Sequence, residues 1–392
     1  MCREHIDPRP KCQSFQTRMS AKLAIFASQL GTASETFIRR HIEDLMPGAT
    51  VALARYSTPY AGFWKPSCPV VYLDSMAMRP SVRLARRAGI SDIRLRDTFV
   101  APFLRRHGVN IVLGEYLDQF LDFVPLLQRM RIPYVVQGHG MDVSASLRTA
   151  GAPMRNLVYR SALAVLTRCE FHRQRLIEMG LPAHKIHVNP GGVDVPPEPP
   201  LREPDACKRF LAIGRMVPKK GPIYLLEAFR RAAAKDSGIV LDYIGDGQIF
   251  AAAQQFVNAC SLQERVHLHG AASEDTKHRL LRECGVFVQH SITDPETGDE
   301  EGLPAAIQEA MANGMAVIST QHSGIPEAVG HGITGWLVGE GDTAGMANAM
   351  SCLAREPKTC ANFGAAAHHK AEQLYSWPAE RSRLLFALTT KL

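Results

Sequence analysis

The segment Asp299-Glu300-Glu301-Gly302-Leu303-Pro304-Ala305-Ala306-Ile307-Gln308-Glu309-Ala310-Met311-Ala312 holds the densest set of groups that could do chemistry. Glu301 precedes a helix start, where the Gly302 and Leu303 amides are free to donate, and Glu309 comes two helical turns later. If both residues were helical, their carboxylates would stand about 80° apart around the axis. One could then meet a sugar while the other meets a ribose diol. Two glutamates eight apart are common by chance. The flanking residues, with Ser323-Gly324-Ile325-Pro326-Glu327 one strand later, make this pair distinctive.

Upstream, Gly214-Arg215-Met216-Val217-Pro218-Lys219-Lys220-Gly221 sets two or three cations in a glycine-bounded loop after a strand. That suits a diphosphate, whose charge must be balanced when it leaves. A Lys-Lys pair also marks ordinary basic turns, whereas Arg215 directly at a strand end is harder to explain so. Gly245-Asp246-Gly247 begins like a dinucleotide fingerprint, but Phe250 occupies the third glycine position, which weakens a nicotinamide reading. In Gln137-Gly138-His139-Gly140-Met141-Asp142, a histidine between two glycines at a strand end is poorly explained as core packing. Its ring is expected to face a crevice and hydrogen-bond a sugar hydroxyl or phosphate. Asp142 either caps the next helix or orients an acceptor hydroxyl. Gly31 ends the first strand, and Thr32-Ala33-Ser34-Glu35 after it fits a capping box. A helix start there offers N–H groups to phosphate, but on these residues alone a plain tight turn is the better account.

These residues come after strands, and the strands alternate with helical patterns throughout, as in parallel α/β sheets. Strand-like runs cover 22–28, 50–56, 70–74, 110–116, 133–140, 164–168 and 185–190, then 209–215, 240–247, 266–270, 286–291, 315–320 and 335–340. Between the two series lies Pro196-Pro197-Glu198-Pro199-Pro200-Leu201-Arg202-Glu203-Pro204-Asp205, a semi-rigid linker. The expected division is a disordered leader at 1–19, one Rossmann-like domain at 20–197, a second at 198–376, and a final helix at 377–392. Ligands of such sheets bind beyond the carboxyl ends of the strands, so two domains facing across a cleft would gather the loops above.

Composition narrows the class. The chain has 392 residues, 46% hydrophobic and 21% charged, which excludes disordered and membrane-spanning classes. No apolar run reaches 18 residues, and the first twenty lack the apolar stretch of a signal peptide. Nine cysteines without a C-x-x-C pair argue for reduced thiols in the cytoplasm, and no histidine spacing suggests a metal site. Residues 1–198 carry 26 Lys and Arg against 16 Asp and Glu, while the remainder carries 19 against 22. Arginines crowd Arg79 to Arg106, interleaved with apolar residues. This segment is either a solvated helix face or a surface that meets anionic membrane. Nucleic acid is excluded as a partner, since no recognition motif accompanies the charge.

Taken together, E-G-L-P-x-x-x-x-E-A-M-A at 301–312, S-G-I-P-E-x-V at 323–329 and G-x-x-G-W-L-V at 332–338 resemble the donor domain of family 4 retaining glycosyltransferases, which have the two-domain GT-B fold. S-E-T-F-I at 34–38, G-H-G-M-D at 138–142 and G-R-M-V-P-K-K-G at 214–221 are similar to bacterial colanic acid and exopolysaccharide enzymes of that family. The resemblance implies a nucleotide-sugar donor, a glycan or lipid-linked acceptor, and no metal or other cofactor. Arg215 and Lys220 would bind the donor diphosphate, Glu301 the transferred sugar and Glu309 the ribose. The Gly302 and Leu303 amides would lie near the phosphates, with Gly214 and Gly245 in the same pocket. His139 would lie over the anomeric centre and Gly31 would approach from the first domain, with Glu35 and Asp142 on the acceptor side. The final helix would cross back to brace the first domain. Gly191 departs from the pattern, standing where a larger residue is common. The competing readings are an epimerase or phosphorylase on the same fold, which needs no acceptor hydroxyl of this kind, and a non-catalytic nucleotide-sugar-binding protein.

Overall fold

The computed structural model describes residues 22–31, 36–56, 64–74, 92–147 and 160–389, excluding the side chains of 92–95. The proposed leader at 1–19, Glu35 with its capping box, and most of the arginine-rich segment lie outside the described residues. Its remainder is a helix, Asp92–Arg106, that buries Val100 and Leu104.

Every strand-like run becomes a strand. The first sheet contains β1 (Leu23–Gln29), β2 (Thr50–Tyr56), β3 (Val70–Tyr72), β4 (Ile111–Glu115), β5 (Tyr134–Gln137), β6 (Ala164–Thr167) and β7 (Ile186–Val188). Its order is β3-β2-β1-β4-β5-β6-β7. The second contains β8 (Arg209–Ile213), β9 (Val240–Ile244), β10 (Val266–Gly270), β11 (Val286–Val288), β12 (Ala316–Thr320) and β13 (Gly335–Val338), in the order β10-β9-β8-β11-β12-β13. All pairings within the two sheets are parallel. Strands such as β4 and β12 are buried end to end, which is why they read as apolar runs up to Glu115 and to Ser319-Thr320 at their carboxyl ends.

Alternation sets the two faces of each sheet. Ala24 and Phe26 of β1 join one core cluster, while Leu23, Ile25 and Ala27 join another. The second cluster also takes Leu384, Ala387 and Leu388 from the last helix, Trp377–Thr389. That helix thus packs on the first sheet, although the chain reaches it from the second. Burying a leucine fully contributes roughly 1.5–3 kcal/mol, so Leu384 and Leu388 alone anchor it firmly. The proline-rich segment is pinned rather than free. Arg202 donates to the carbonyls of Leu281, Cys284, Asn313 and Gly314, satisfying the ends of helices Glu274–Glu283 and Ala305–Ala312.

In each sheet the order reverses beside the first strand, between β1 and β4 and between β8 and β11. Of the loops singled out for chemistry, those with Gly31, Arg215 and Glu301 leave β1, β8 and β11 at these switch points, while the His139 loop leaves β5, next to β4.

Candidate active site between the two sheets

The loop after β8 and the loop after β11 meet in one charged cluster. Lys220 Nζ lies 3.2 Å from Glu301 Oε2, and Lys219 Nζ lies 3.3 Å from Glu301 Oε1 and 2.9 Å from Asp299 Oδ2. Burial opposes ionisation of Glu301, yet Lys220 and Lys219 hold its carboxyl at about 2. Burial pulls the Lys220 ammonium down, while Lys219 rises against burial because Glu301 and Asp299 both face it. Arg215 is exposed at the end of β8 and has no side-chain partner among the described residues. The cluster is therefore one positive charge in excess and open at Arg215, a setting into which an anion can move by drawing the lysines away from their carboxylates.

Glu301 precedes helix Ala305–Ala312 rather than sitting in it, so the helical angle between Glu301 and Glu309 does not apply. Pro304 forces the chain to be extended immediately before the helix. Glu309 lies inside the helix and faces a different cation, Lys277 Nζ, at 3.6 Å. Burial pushes the Glu309 carboxyl up, and Lys277 works against it. The Gly302 and Leu303 amides have no hydrogen-bond partner among the described residues. The Glu301 backbone is held from behind: its N–H donates to His322 Nε2 at 3.2 Å, while His322 Nδ1, which therefore carries the proton, lies 2.7 Å from Glu340 Oε1.

Gly214 and Gly245 shape this loop by close approach. A Cβ on Gly245, at φ +152°, would stand 2.8 Å from the Gly214 carbonyl carbon, and Met216 N–H donates to Asp246 O at 2.9 Å. Gly245 thus has a packing reason to be glycine, as a support for the Arg215 loop.

From the first sheet, the loop after β5 closes on the same place. A Cβ on Gly302 would lie 2.7 Å from the His139 carbonyl oxygen, and one on Gly140 would lie 2.9 Å from Glu300 O. His139 is therefore beside the loop that carries Glu301, and its Nε2 is 2.8 Å from Glu115 Oε2. Asp142 is almost fully buried, and its carboxylate accepts from the His139, Gly140 and Leu117 amides at 2.8–2.9 Å. That geometry corrects the expectation of an acceptor-side role: Asp142 faces inward and braces the histidine loop. Gly31, at φ +88°, ends β1 beside β4 and so opens at the same end of the sheet.

Several residues at this junction were not anticipated. Arg175 pairs with Glu300 across the sheets at 2.8 Å, and Glu327 accepts from the Glu170 and Phe171 amides at 2.8 and 2.9 Å. Glu327 belongs to S-G-I-P-E, so part of that motif docks the second domain on the start of helix Glu170–Glu178. Asp299 was named in the glutamate segment without a role of its own, and Glu115 and His322 escaped notice. Glu115 could have been found as a charged residue closing an apolar strand. Among the described residues no three His, Cys, Asp or Glu side chains are arranged for a metal ion, and no helix is long and apolar enough to cross a membrane.

Comparison with known proteins agrees with this architecture. Residues 198–370 match the model "Glycosyl transferases group 1", and residues 47–192 match "Glycosyl transferase 4-like domain". WcaL of Escherichia coli K12, named for colanic acid biosynthesis, is 31% identical over 377 residues, spanning 85% of this chain and 91% of its own. AmsK of Erwinia amylovora, named for amylovoran biosynthesis, is 37% identical over 180 residues, covering 45% of this chain and 43% of its own. Among solved structures, HepE of Anabaena in complex with UDP-glucose superposes with a TM-score of 0.75 at 17% identity, over 95% of this chain and all of that one. The extent of the WcaL match, two family models in series and the shared fold place this chain in the family 4 glycosyltransferases of the GT-B fold.

Proposed function

We propose that the protein is a retaining hexosyltransferase that moves a sugar from a nucleotide-diphosphate sugar to a hydroxyl of a glycan or lipid-linked acceptor, in the building of a bacterial polysaccharide. The observation that carries this reading is the cluster of Arg215, Lys219 and Lys220 against Asp299 and Glu301, beside two free amides at a helix start. In the reaction the donor diphosphate takes the lysines and Arg215, and the Gly302 and Leu303 amides donate to its oxygens. Glu301, released from the lysines, accepts from hydroxyls of the transferred sugar, and Glu309 from the ribose. The acceptor oxygen attacks the anomeric carbon on the face from which the diphosphate departs. The bond from that carbon to the phosphate oxygen breaks, and the acceptor's proton passes to the departing phosphate oxygen. No metal is needed, because fixed cations and amides balance the charge of the leaving group. The relatives named for colanic acid and amylovoran biosynthesis support a polysaccharide product.

The test is slow hydrolysis of a panel of nucleotide sugars, which needs no acceptor, by wild type, Lys220→Ala and Glu301→Ala. Each variant should keep its fold by circular dichroism and lose at least about a hundredfold in turnover. Near-normal turnover in either folded variant would refute the site. The anomer released, read by proton NMR, decides retention.

A further inference from the structure

His139 is the exposed end of a buried chain of charges. Glu115, fully buried at the end of β4, receives His139 Nε2 at 2.8 Å on one oxygen and His41 Nδ1 at 2.6 Å on the other. The second nitrogen of His41 faces Glu380 Oε1 at 3.2 Å, and Arg168 Nη1 lies 3.9 Å from that same oxygen. An imidazole with a carboxylate on each nitrogen carries two protons. Burial opposes that charge on His41, but Glu115 and Glu380 raise its pKa to about 9. Burial likewise opposes ionisation of Glu115, and His41 and His139 hold it at about 2. Arg168, Glu380, His41 and Glu115 thus alternate in sign and sum to zero without His139. Buried charges of this kind are often replaceable by apolar residues of similar volume without loss of stability, so stability alone is a weak reason for the chain.

The chain settles which face His139 turns outward. An ionised carboxylate can only accept, so Nε2 carries a hydrogen, and the tautomer this selects leaves Nδ1 as the acceptor. Nδ1 has no partner among the described residues, and the side chain is 12% exposed. Phe37 and Tyr116 both pack on the ring, each with its centroid 4.6 Å away. The remote end is equally fixed. Glu380 sits in the first turn of the last helix, where a Cβ on Gly192 would come within 2.9 Å of its Cβ, and Trp377 stacks on His41 at 6.1 Å. There Val193 and Ser376 run side by side, at the two points where the chain passes between the sheets.

We propose that Glu115 is a positioning residue for sugar transfer, holding His139 with Nδ1 turned to the cleft to accept from a hydroxyl of the donor sugar, and that Glu380 holds Glu115 through His41. The proposal rests on the reading of His139 as part of the donor site. It gives the last helix a part in the chemistry that its packing alone does not require.

The experiment uses the full chain labelled with 15N-histidine. Its ring-nitrogen shifts should show His139 as the Nε2–H tautomer in wild type, and Glu380→Gln should weaken that preference although it does not touch His139. Hydrolysis of the active nucleotide sugar should lose roughly tenfold or more in kcat in Glu115→Gln, with donor KM changed far less, because the glutamine amide cannot accept from both histidines. Adding His139→Ala to Glu115→Gln should cost nothing further. An Nδ1–H tautomer in wild type, or losses that multiply in the double variant, overturns the proposal. Should Glu115→Gln not fold, the wild-type tautomer and Glu380→Gln still decide it. If His139→Ala alone turns over normally, the donor-site reading of His139 fails, a result separate from the tautomer.

Discussion

Replacing Gly191 with alanine should disrupt the buried charge chain without replacing any of its members. Gly191 has φ +96°, and a Cβ built on it would lie 2.5 Å from Arg168 Cζ. The first cost is conformational, about 1–2 kcal/mol for a non-glycine residue with positive φ. The second is the displacement of the guanidinium. The Arg168 side chain is only 7% exposed, and its Nη1 already lacks a hydrogen bond, so moving it also weakens its attraction to Glu380. Leaving such a polar group without its partner costs about 1–3 kcal/mol, for a total of roughly 2–5 kcal/mol. Urea unfolding of wild type and Gly191→Ala measures the sum. Repeating the substitution in an Arg168→Met background isolates the second part, because only the conformational cost should remain. A loss below about 1 kcal/mol, or the same loss in both backgrounds, would refute the reasoning. Gly191 is, on this account, the space that Arg168 requires.

The charged groups also set a pH profile. Glu115 and Glu301, depressed from 4.5 to about 2, contribute stability that is present above pH 4.5 and lost as pH falls through 2. His41, raised from 6.5 to about 9, contributes stability that is full below pH 6.5 and lost as pH rises through 9. Thermal midpoints should therefore fall on both sides of the window from 4.5 to 6.5, and Glu301→Gln should shrink the acid limb; an acid limb unchanged in that variant contradicts the assignment. Glu327→Ala should remove the acceptor for the Glu170 and Phe171 amides and cost about 1 kcal/mol locally. Hydrogen exchange should then quicken by about fivefold at the start of helix Glu170–Glu178, and unaltered exchange there would show that the docking contact carries no weight.

The fold was legible because its signals are local. Parallel strands buried on both faces leave short β-branched and apolar runs, and thirteen such runs became thirteen strands among the described residues. Their ends were less sharp: the run at 286–291 is a strand only over Val286–Val288, and after Gln289, whose N–H still donates to Ile318 O at 3.1 Å, the chain leaves the sheet for the loop that serves the site. The proline-rich segment was read as a spacer, yet Arg202 within it ties two helix ends together. Nothing in the spacing of prolines announces that a single arginine beside them will find four carbonyls.

The candidate site was legible only where its residues sit close together in the chain. Glu301, Lys220 and Arg215 stood out because glycines and prolines around them mark loops at strand ends. Asp142 was misjudged for a related reason: an acidic residue after G-H-G can face the cleft or its own backbone, and three amides decide for the backbone. Glu115, His41, Glu380 and Arg168 come from positions as far apart as 41 and 380, with no motif around any of them. His41, Arg168 and Glu380 are ordinary polar residues among other polar ones, and Glu115 alone stands out, at the end of an apolar strand. What identifies them is that all four are buried and alternate in sign, a property of the folded chain and not of any window of sequence. A substitution at position 380 should therefore reach a histidine at position 139, through two intervening side chains and no shared element of secondary structure.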